Sequence, residues 1–186
     1  MKRDQIIDTV AKLFKEQGFH NTSIRDISQQ VGLKGGALYY HIKSKEDALF
    51  KIAYTGMSSY VAKLEKIIET DDNPKIKLKN YIGSHIDDYY SDFYRTVVTT
   101  LEFKAFSGNY QKQYNEKRAL SEFHLRTILK EGMEKEEFRQ GDIKLMSFAI
   151  FGILNWIAIW YDPEGEWGPN KLKKEFTKII LSGIEK

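Results

Sequence analysis

The side chains best suited to chemistry in this chain lie between Thr22 and Asp47, and that chemistry is recognition of a polyanion. No carboxylate occurs between Asp26 and Glu46, whereas Lys34, His41, Lys43 and Lys45 all fall there. A surface kept free of negative charge suits a partner built on phosphates. Tyr39, Tyr40 and His41 offer donors to phosphate oxygens and flat faces to sugars or thymine methyls. Gly35 and Gly36 carry no side chain that would hold the backbone away from a duplex, and unpaired amides at a helix start favour phosphate. Lys45 could clamp a further phosphate. Taken singly, each of these residues reads as well as part of a turn or a solvated helix. Their joint spacing points to DNA.

Other chemistries find little support. Tyr39 and Lys43 have the spacing of a dehydrogenase pair, but no Gly-x-Gly-x-x-Gly follows a strand. The absence of cysteine removes disulfide frameworks, thiolate catalysis and thiolate-held zinc. Histidines 20, 41, 85 and 124 lack the i, i+4 pairing of a metal-binding helix. His85 with Asp88 reads as a hydrogen-bonded pair on a helix surface, and Glu134, Glu136 and Glu137 as solvent-facing groups near a helix end. With neither Gly-x-Ser-x-Gly nor a phosphate loop, the chain reads as a non-enzyme that uses no cofactor or metal.

Helices must position these groups. Ile6, Ile7, Val10, Ala11, Leu13 and Phe14 form a helical stripe that stops at Gly18. A second helix opens on Thr22 or Ser23, with Asp26 completing an approximate capping box, and Ile24, Ile27 and Val31 facing inward. Gly32 permits a sharp turn into a third helix, and Leu33 and Leu38 complete a three-helix core. Two short helices across a glycine turn form the helix-turn-helix layout. Ser44 caps a fourth helix that runs to a break at 70–74, and Asn73-Pro74 restarts the chain. Further helices fit 74–91, 93–106, 109–135, 142–160 and 170–185. About nine helices and no strand pattern give an all-α fold, divided into a compact unit at 1–46 and a larger helical unit at 47–186.

The hydrophobic share of 41% supports a real core, and a net charge of +3 permits nucleic acid binding without requiring it. The N-terminus lacks the apolar stretch of a signal peptide. Leu145–Trp160 carries no charge, but sixteen residues fall short of the ~20 that span a bilayer. We read it as a covered helix and the chain as cytoplasmic, with no membrane partner.

The residues match a known pattern. Val10-Ala-x-x-Leu-Phe-x-x-x-Gly-Phe19, Thr22-Ser-Ile-x-x-Ile-Ser28 and Val31-Gly-Leu33 are followed by Gly36-Ala-Leu-Tyr-Tyr-His41, Lys43-Ser-Lys-Glu46 and Leu49. These motifs, about a quarter of the chain, resemble the TetR family of bacterial transcriptional regulators. The resemblance implies a homodimer that binds a palindromic double-stranded DNA operator and is released when a small molecule enters a C-terminal ligand-binding and dimerisation domain. By position it places DNA contacts on Thr22, Ser23, Lys34, Gly35, Ala37, Tyr39, Tyr40, His41 and Lys45. Lys34 departs from the family's usual Ser or Thr, which removes a helix cap worth ~1 kcal/mol. Gly35 stands where many relatives carry a base-reading side chain, and Ile42 replaces the usual Phe.

A second resemblance is narrower. Gly152-Ile-Leu-Asn-Trp156, Trp160-Tyr161, Asp162-Pro163 and Gly165, with Phe138-Arg139 before Gly141-Asp142, resemble a TetR subgroup tied to fatty acid and acyl-coenzyme A metabolism. It implies a long-chain acyl thioester as inducer, its tail among side chains such as Tyr60, Tyr89, Phe103, Phe106, Phe123, Asn155 and Trp156. Each of these also reads as a core residue. The apolar helix 142–160 fits either a dimer interface or a plain core. The alternative to a DNA-binding regulator is a helical small-molecule binding or scaffolding protein without specific DNA binding.

Overall fold

The computed structural model describes residues 3–186. These form ten α-helices: α1 Arg3–Gln17, α2 Ile24–Val31, α3 Gly35–His41, α4 Lys45–Ile68, α5 Pro74–Ser91, α6 Phe93–Glu102, α7 Gly108–Glu134, α8 Ile143–Asn155, α9 Ile157–Trp160 and α10 Pro169–Ile184. A single 3-10 turn, Phe103–Ala105, follows α6. Among the described residues the only extended pairing is one isolated bridge between Phe138 and Glu185.

Local chemistry sets most of the boundaries. Ser23 caps α2, its hydroxyl accepting from the Asp26 amide at 3.2 Å while Asp26 accepts from the Ser23 amide at 2.8 Å. Gly32 ends α2 at φ +68, and the Leu33 amide returns to the Ser28 carbonyl at 3.1 Å. This is the Schellman closure that a left-handed residue allows. Ser44 Oγ caps α4 through the Asp47 amide at 3.0 Å, and Asn73 Oδ1 caps α5 through Ile76 at 2.9 Å. Asp142 Oδ1 takes the amides of Lys144 and Leu145 at the start of α8. Lys34 precedes α3 with no side-chain cap, as its chemistry requires.

The apolar interior falls into two clusters. One gathers α1–α3 with Ala48, Leu49, Ile52 and Ala53 of α4, and adds Val98, Phe106 and Tyr114 from α6–α7. The other fills the space among α4, α5, α7, α8 and α10. Met57 packs on both. The core of the N-terminal unit therefore does not stop at residue 46; it includes the first turns of α4.

Polar contacts fasten that unit to the body. Arg95 of α6 donates to Asp8 of α1 through Nη2 at 2.6 Å and Nε at 2.8 Å. Glu46 accepts from the Ser107 amide at 2.7 Å, and its neighbour Asp47 accepts from the Tyr110 hydroxyl at 3.0 Å. Asp47 is buried, which pushes its carboxyl up, yet hydrogen bonds from Lys51, the Lys43 amide and Tyr110 outweigh this and hold it below the usual range. Lys51 also donates to the His41 carbonyl at 2.8 Å, placing a cation at the C-terminus of α3.

The reading of 142–160 as one helix covered by its own chain needs correction. It breaks at Trp156 into α8 and α9, and only 28% of Ile143–Trp160 is buried within the chain. Leu145, Phe148, Ile153, Trp156 and Ile159 are exposed. At 3.6 residues per turn these positions fall on one side of the helix, away from buried Ile150, Leu154 and Ile157.

Candidate DNA-binding face and effector cavity

The outward side of α3 carries Gly36, Ala37, Tyr39 and Tyr40, while Leu38 and Ile42 anchor it in the core. Tyr40 is 88% exposed, so no packing within the chain explains so large a side chain. Its ring meets His41 edge-on at 5.3 Å. A Cβ on Gly36 would meet nothing within 4 Å, so its lack of a side chain serves no internal contact. Gly35 opens α3 and Lys34 before it is exposed. No carboxylate caps this helix, and its amide end is open to an anion.

Other residues assigned to DNA sit differently. Thr22 is 2% exposed and donates its hydroxyl to the Gly18 carbonyl at 2.8 Å. Its side chain therefore closes the α1–α2 turn and does not face outward, which corrects the expectation for it. Ser23 lies at the surface, but its hydroxyl is engaged with Asp26. Lys45 is half-buried, donating to the His20 carbonyl at 3.1 Å with its ammonium 4.6 Å from the centre of the Phe19 ring. Arg25, exposed in the first turn of α2, was not singled out by the motif.

The body holds a partly open cavity of about 440 Å³ among α4–α8. That volume lies in the ~300–1,000 Å³ range of small-molecule sites. Met57, Tyr60, Phe103, Tyr114, Phe148 and Phe151 supply its apolar wall. The charged groups on the wall balance, Lys63, Arg95 and Arg118 against Asp88, Asp92 and Glu122. Each cation is paired: Lys63 with Asp88, Arg95 with Asp92 at 3.5 Å as well as with Asp8, and Arg118 with Glu122 at 3.4 Å. The wall thus has no uncommitted charge to offer an ionic group.

His85 is part of this wall, which corrects its reading as a surface residue paired with Asp88. Its Nδ1 lies 3.3 Å from the Tyr60 hydroxyl. Burial lowers its pKa to about 4, so the ring is neutral at pH 7. A neutral imidazole beside a buried phenol can donate a hydrogen bond to an uncharged carbonyl.

Of the aromatic and polar residues expected around a ligand, Tyr60, Phe103 and Asn155 line the cavity. Asn155 is exposed at the end of α8 and is not the buried amide the sequence suggested. Tyr89 is 1% exposed and turned into the core, its hydroxyl 2.9 Å from Thr100 Oγ1. Phe106 packs with Phe50 and Tyr114 in the core of the N-terminal unit. Phe123 and Trp156 are 62% and 61% exposed on the outside of α7 and α8. These four lie outside the cavity because their helices present them to other neighbours or to solvent. Arg95, Arg118 and His85 gave no periodic or motif signal that would have found them.

Residues 6–51 match the family described as bacterial regulatory proteins, tetR family, and residues 71–184 match the tetracyclin repressor-like C-terminal domain. The fatty acid metabolism regulator protein of Bacillus subtilis (strain 168) is 27% identical over 182 residues, covering 97% of this chain and 94% of that protein. The TetR family transcriptional regulator PfmR from Thermus thermophilus superposes with a TM-score of 0.89 at 32% identity, over 98% of this chain and 100% of that one. AibR, solved in complex with isovaleryl coenzyme A and operator DNA, shares the fold with a TM-score of 0.86 at 19% identity, over 96% and 97% of the two chains. With a helix-turn-helix head and a cavity-bearing helical body both matched, the chain belongs to the TetR family of bacterial transcription regulators.

Proposed function

We propose that this regulator is a cytoplasmic repressor that binds a palindromic operator as a homodimer and is released by a hydrophobic effector, a long-chain fatty acyl-coenzyme A. The observation that carries the reading is Arg95, which lines the cavity and holds α1 through Asp8. An effector that moves the cavity wall would move the helix on which the DNA-binding head is built. Release requires that the effector bind the non-DNA conformation better, so that occupancy shifts the spacing of the two heads. Two recognition helices about one duplex turn apart, ~34 Å, would read the two half-sites.

The exposed stripe on α8 supports the dimer. Trp156, Ile153 and Phe148 leave more apolar surface uncovered than one chain needs, and Ile179 of α10 is 58% exposed. Gly152, in the middle of the stripe, has open space on its Cβ side, which suits close approach of a second helix. The thioester class draws on the paired charges of the cavity, its aromatic wall and neutral His85, and on the relative named for fatty acid metabolism.

The test is operator binding by the intact protein, by fluorescence anisotropy, across a chain-length series of acyl-coenzyme A thioesters. Operator affinity should fall on the order of ten-fold for a limited range of chain lengths and stay unchanged with coenzyme A alone. Indifference to every thioester would overturn the effector assignment. Absence of salt-sensitive binding to a palindrome from its own upstream region would overturn the operator assignment.

A further inference from the structure

A second cleft, of about 840 Å³, opens on the outer side of the body between α4, α5 and α10. Six lysines line it, Lys63, Lys66, Lys79, Lys173, Lys174 and Lys178, against one carboxylate, Asp87. Lys173 pairs with Asp87 at 2.5 Å, and Lys63 pairs with Asp88. Lys66, Lys79, Lys174 and Lys178 form no ion pair among the described residues. Like charges gathered in one concavity repel one another within a Debye length, ~10 Å at moderate salt, and focus a positive potential into it. Ser84 and Asn80 add short polar side chains to its lining.

The cleft and the effector cavity meet at one side chain. Lys63 lines both. Along α4, Ser59 and Tyr60 belong to the cavity, and Lys66 and Ile67 belong to the cleft. Along α5, His85 and Asp88 belong to the cavity, and their neighbours Ser84 and Asp87 to the cleft. The two spaces differ in the chemistry they can take. Every cation on the cavity wall is already paired, so the cavity suits an uncharged chain. Four lysines of the cleft are unpaired, so it suits several negative charges at once.

We propose that the lysine cleft is a polyphosphate-binding site joined to the effector cavity at Lys63, and that it takes the phosphorylated nucleotide end of an effector whose apolar chain lies in the cavity. The inference rests on the acyl thioester reading above and extends it to surface residues that no motif marks. Phosphates in the cleft would draw Lys63 away from Asp88, so the head of the effector and the cavity wall would be coupled through one ion pair. A lysine cluster of this kind contributes as point charges, and its effect is therefore strongly salt-sensitive.

The test compares two ligands on the intact protein by calorimetry: dodecanoyl-coenzyme A, and the same acyl chain on pantetheine, which carries no phosphate. The variant is the triple substitution Lys66→Gln, Lys174→Gln, Lys178→Gln, with operator affinity and melting temperature as controls that should not move. The coenzyme A thioester should bind at least about ten-fold tighter than the pantetheine thioester. That advantage should collapse between ~0.05 and ~0.5 M salt and in the triple variant, while affinity for the pantetheine thioester stays the same. Equal binding of the two ligands by the unsubstituted protein, or a full advantage retained by the variant, overturns the proposal. If neither thioester binds, the effector reading has failed and coenzyme A alone decides the cleft. Saturable, salt-sensitive binding of coenzyme A that the variant loses upholds a polyphosphate site, and no binding overturns it.

Discussion

In the head, the outward groups on α3 come from one helix of seven residues, whereas the cavity wall collects side chains from five helices between Thr55 and Asn155. The first arrangement is local. Caps at Ser23 and Ser44 and a left-handed Gly32 set α2, the turn and the start of α4, each through contacts with residues a few positions away. The second arrangement is a gap left by packing, and no short segment encodes it. The head is therefore changed by substituting what it presents. The cavity is changed by what its walls hold on to, and those partners lie as far away as Asp8.

The largest expected effect comes from a third surface on which both depend. Glutamate at Ile153 and Trp156 together would place charges in the exposed stripe of α8. Sedimentation should show a monomer, and operator affinity should fall by ~100-fold or more through loss of bivalent binding. A dimer that survives both substitutions would put the interface elsewhere. Next in size is Tyr40→Ala. Because Tyr40 is almost fully exposed, operator affinity should drop by roughly ten-fold while melting temperature stays put. Thr22→Val sharpens the contrast within the head. It removes an internal hydrogen bond and should lower stability by ~1 kcal/mol in chemical denaturation, with no effect on operator affinity beyond that.

The cavity should betray itself through pH. His85 has a folded pKa near 4 against an ordinary 6.5, so between those values the unfolded chain binds a proton that the folded protein refuses. Stability must then fall as pH drops through that window, by about 2 kcal/mol near pH ~5. Urea midpoints at pH 7 and pH 5 measure it, and His85→Gln should flatten the difference. The smallest effect belongs to the link between the regions. Asp8→Asn breaks a pair whose carboxylate is largely exposed, so stability should change by ~1 kcal/mol or less. What should change is the fold-loss of operator affinity caused by effector. An unaltered response would remove Arg95–Asp8 from the coupling path.

Legibility in the sequence followed the same division. The starts of α2, α4, α5 and α8 could be read because each is set by a cap within three residues of the helix it starts. Lys34 was legible as a missing cap for the same reason. The aromatic residues were legible only as apolar. Tyr60 and Phe103 reached the cavity, Tyr89 and Phe106 went to two different cores, and Phe123 and Trp156 faced outward. Periodicity reports that a helix has an apolar side, not which neighbour covers it.

The sequence by itself determined the all-α architecture, the helix-turn-helix head and the acid-free run that α3 displays. Those follow from hydrogen bonds and charges that span a few residues and need no distant partner. Only the tertiary structure decided that Thr22 turns inward, that His85 and Arg95 belong to a cavity, that α8 is left half uncovered, and that Lys63 stands between the cavity and a lysine cleft. Each of those depends on how helices far apart in the chain pack, and packing is a property of volumes and directions that residue types alone do not specify.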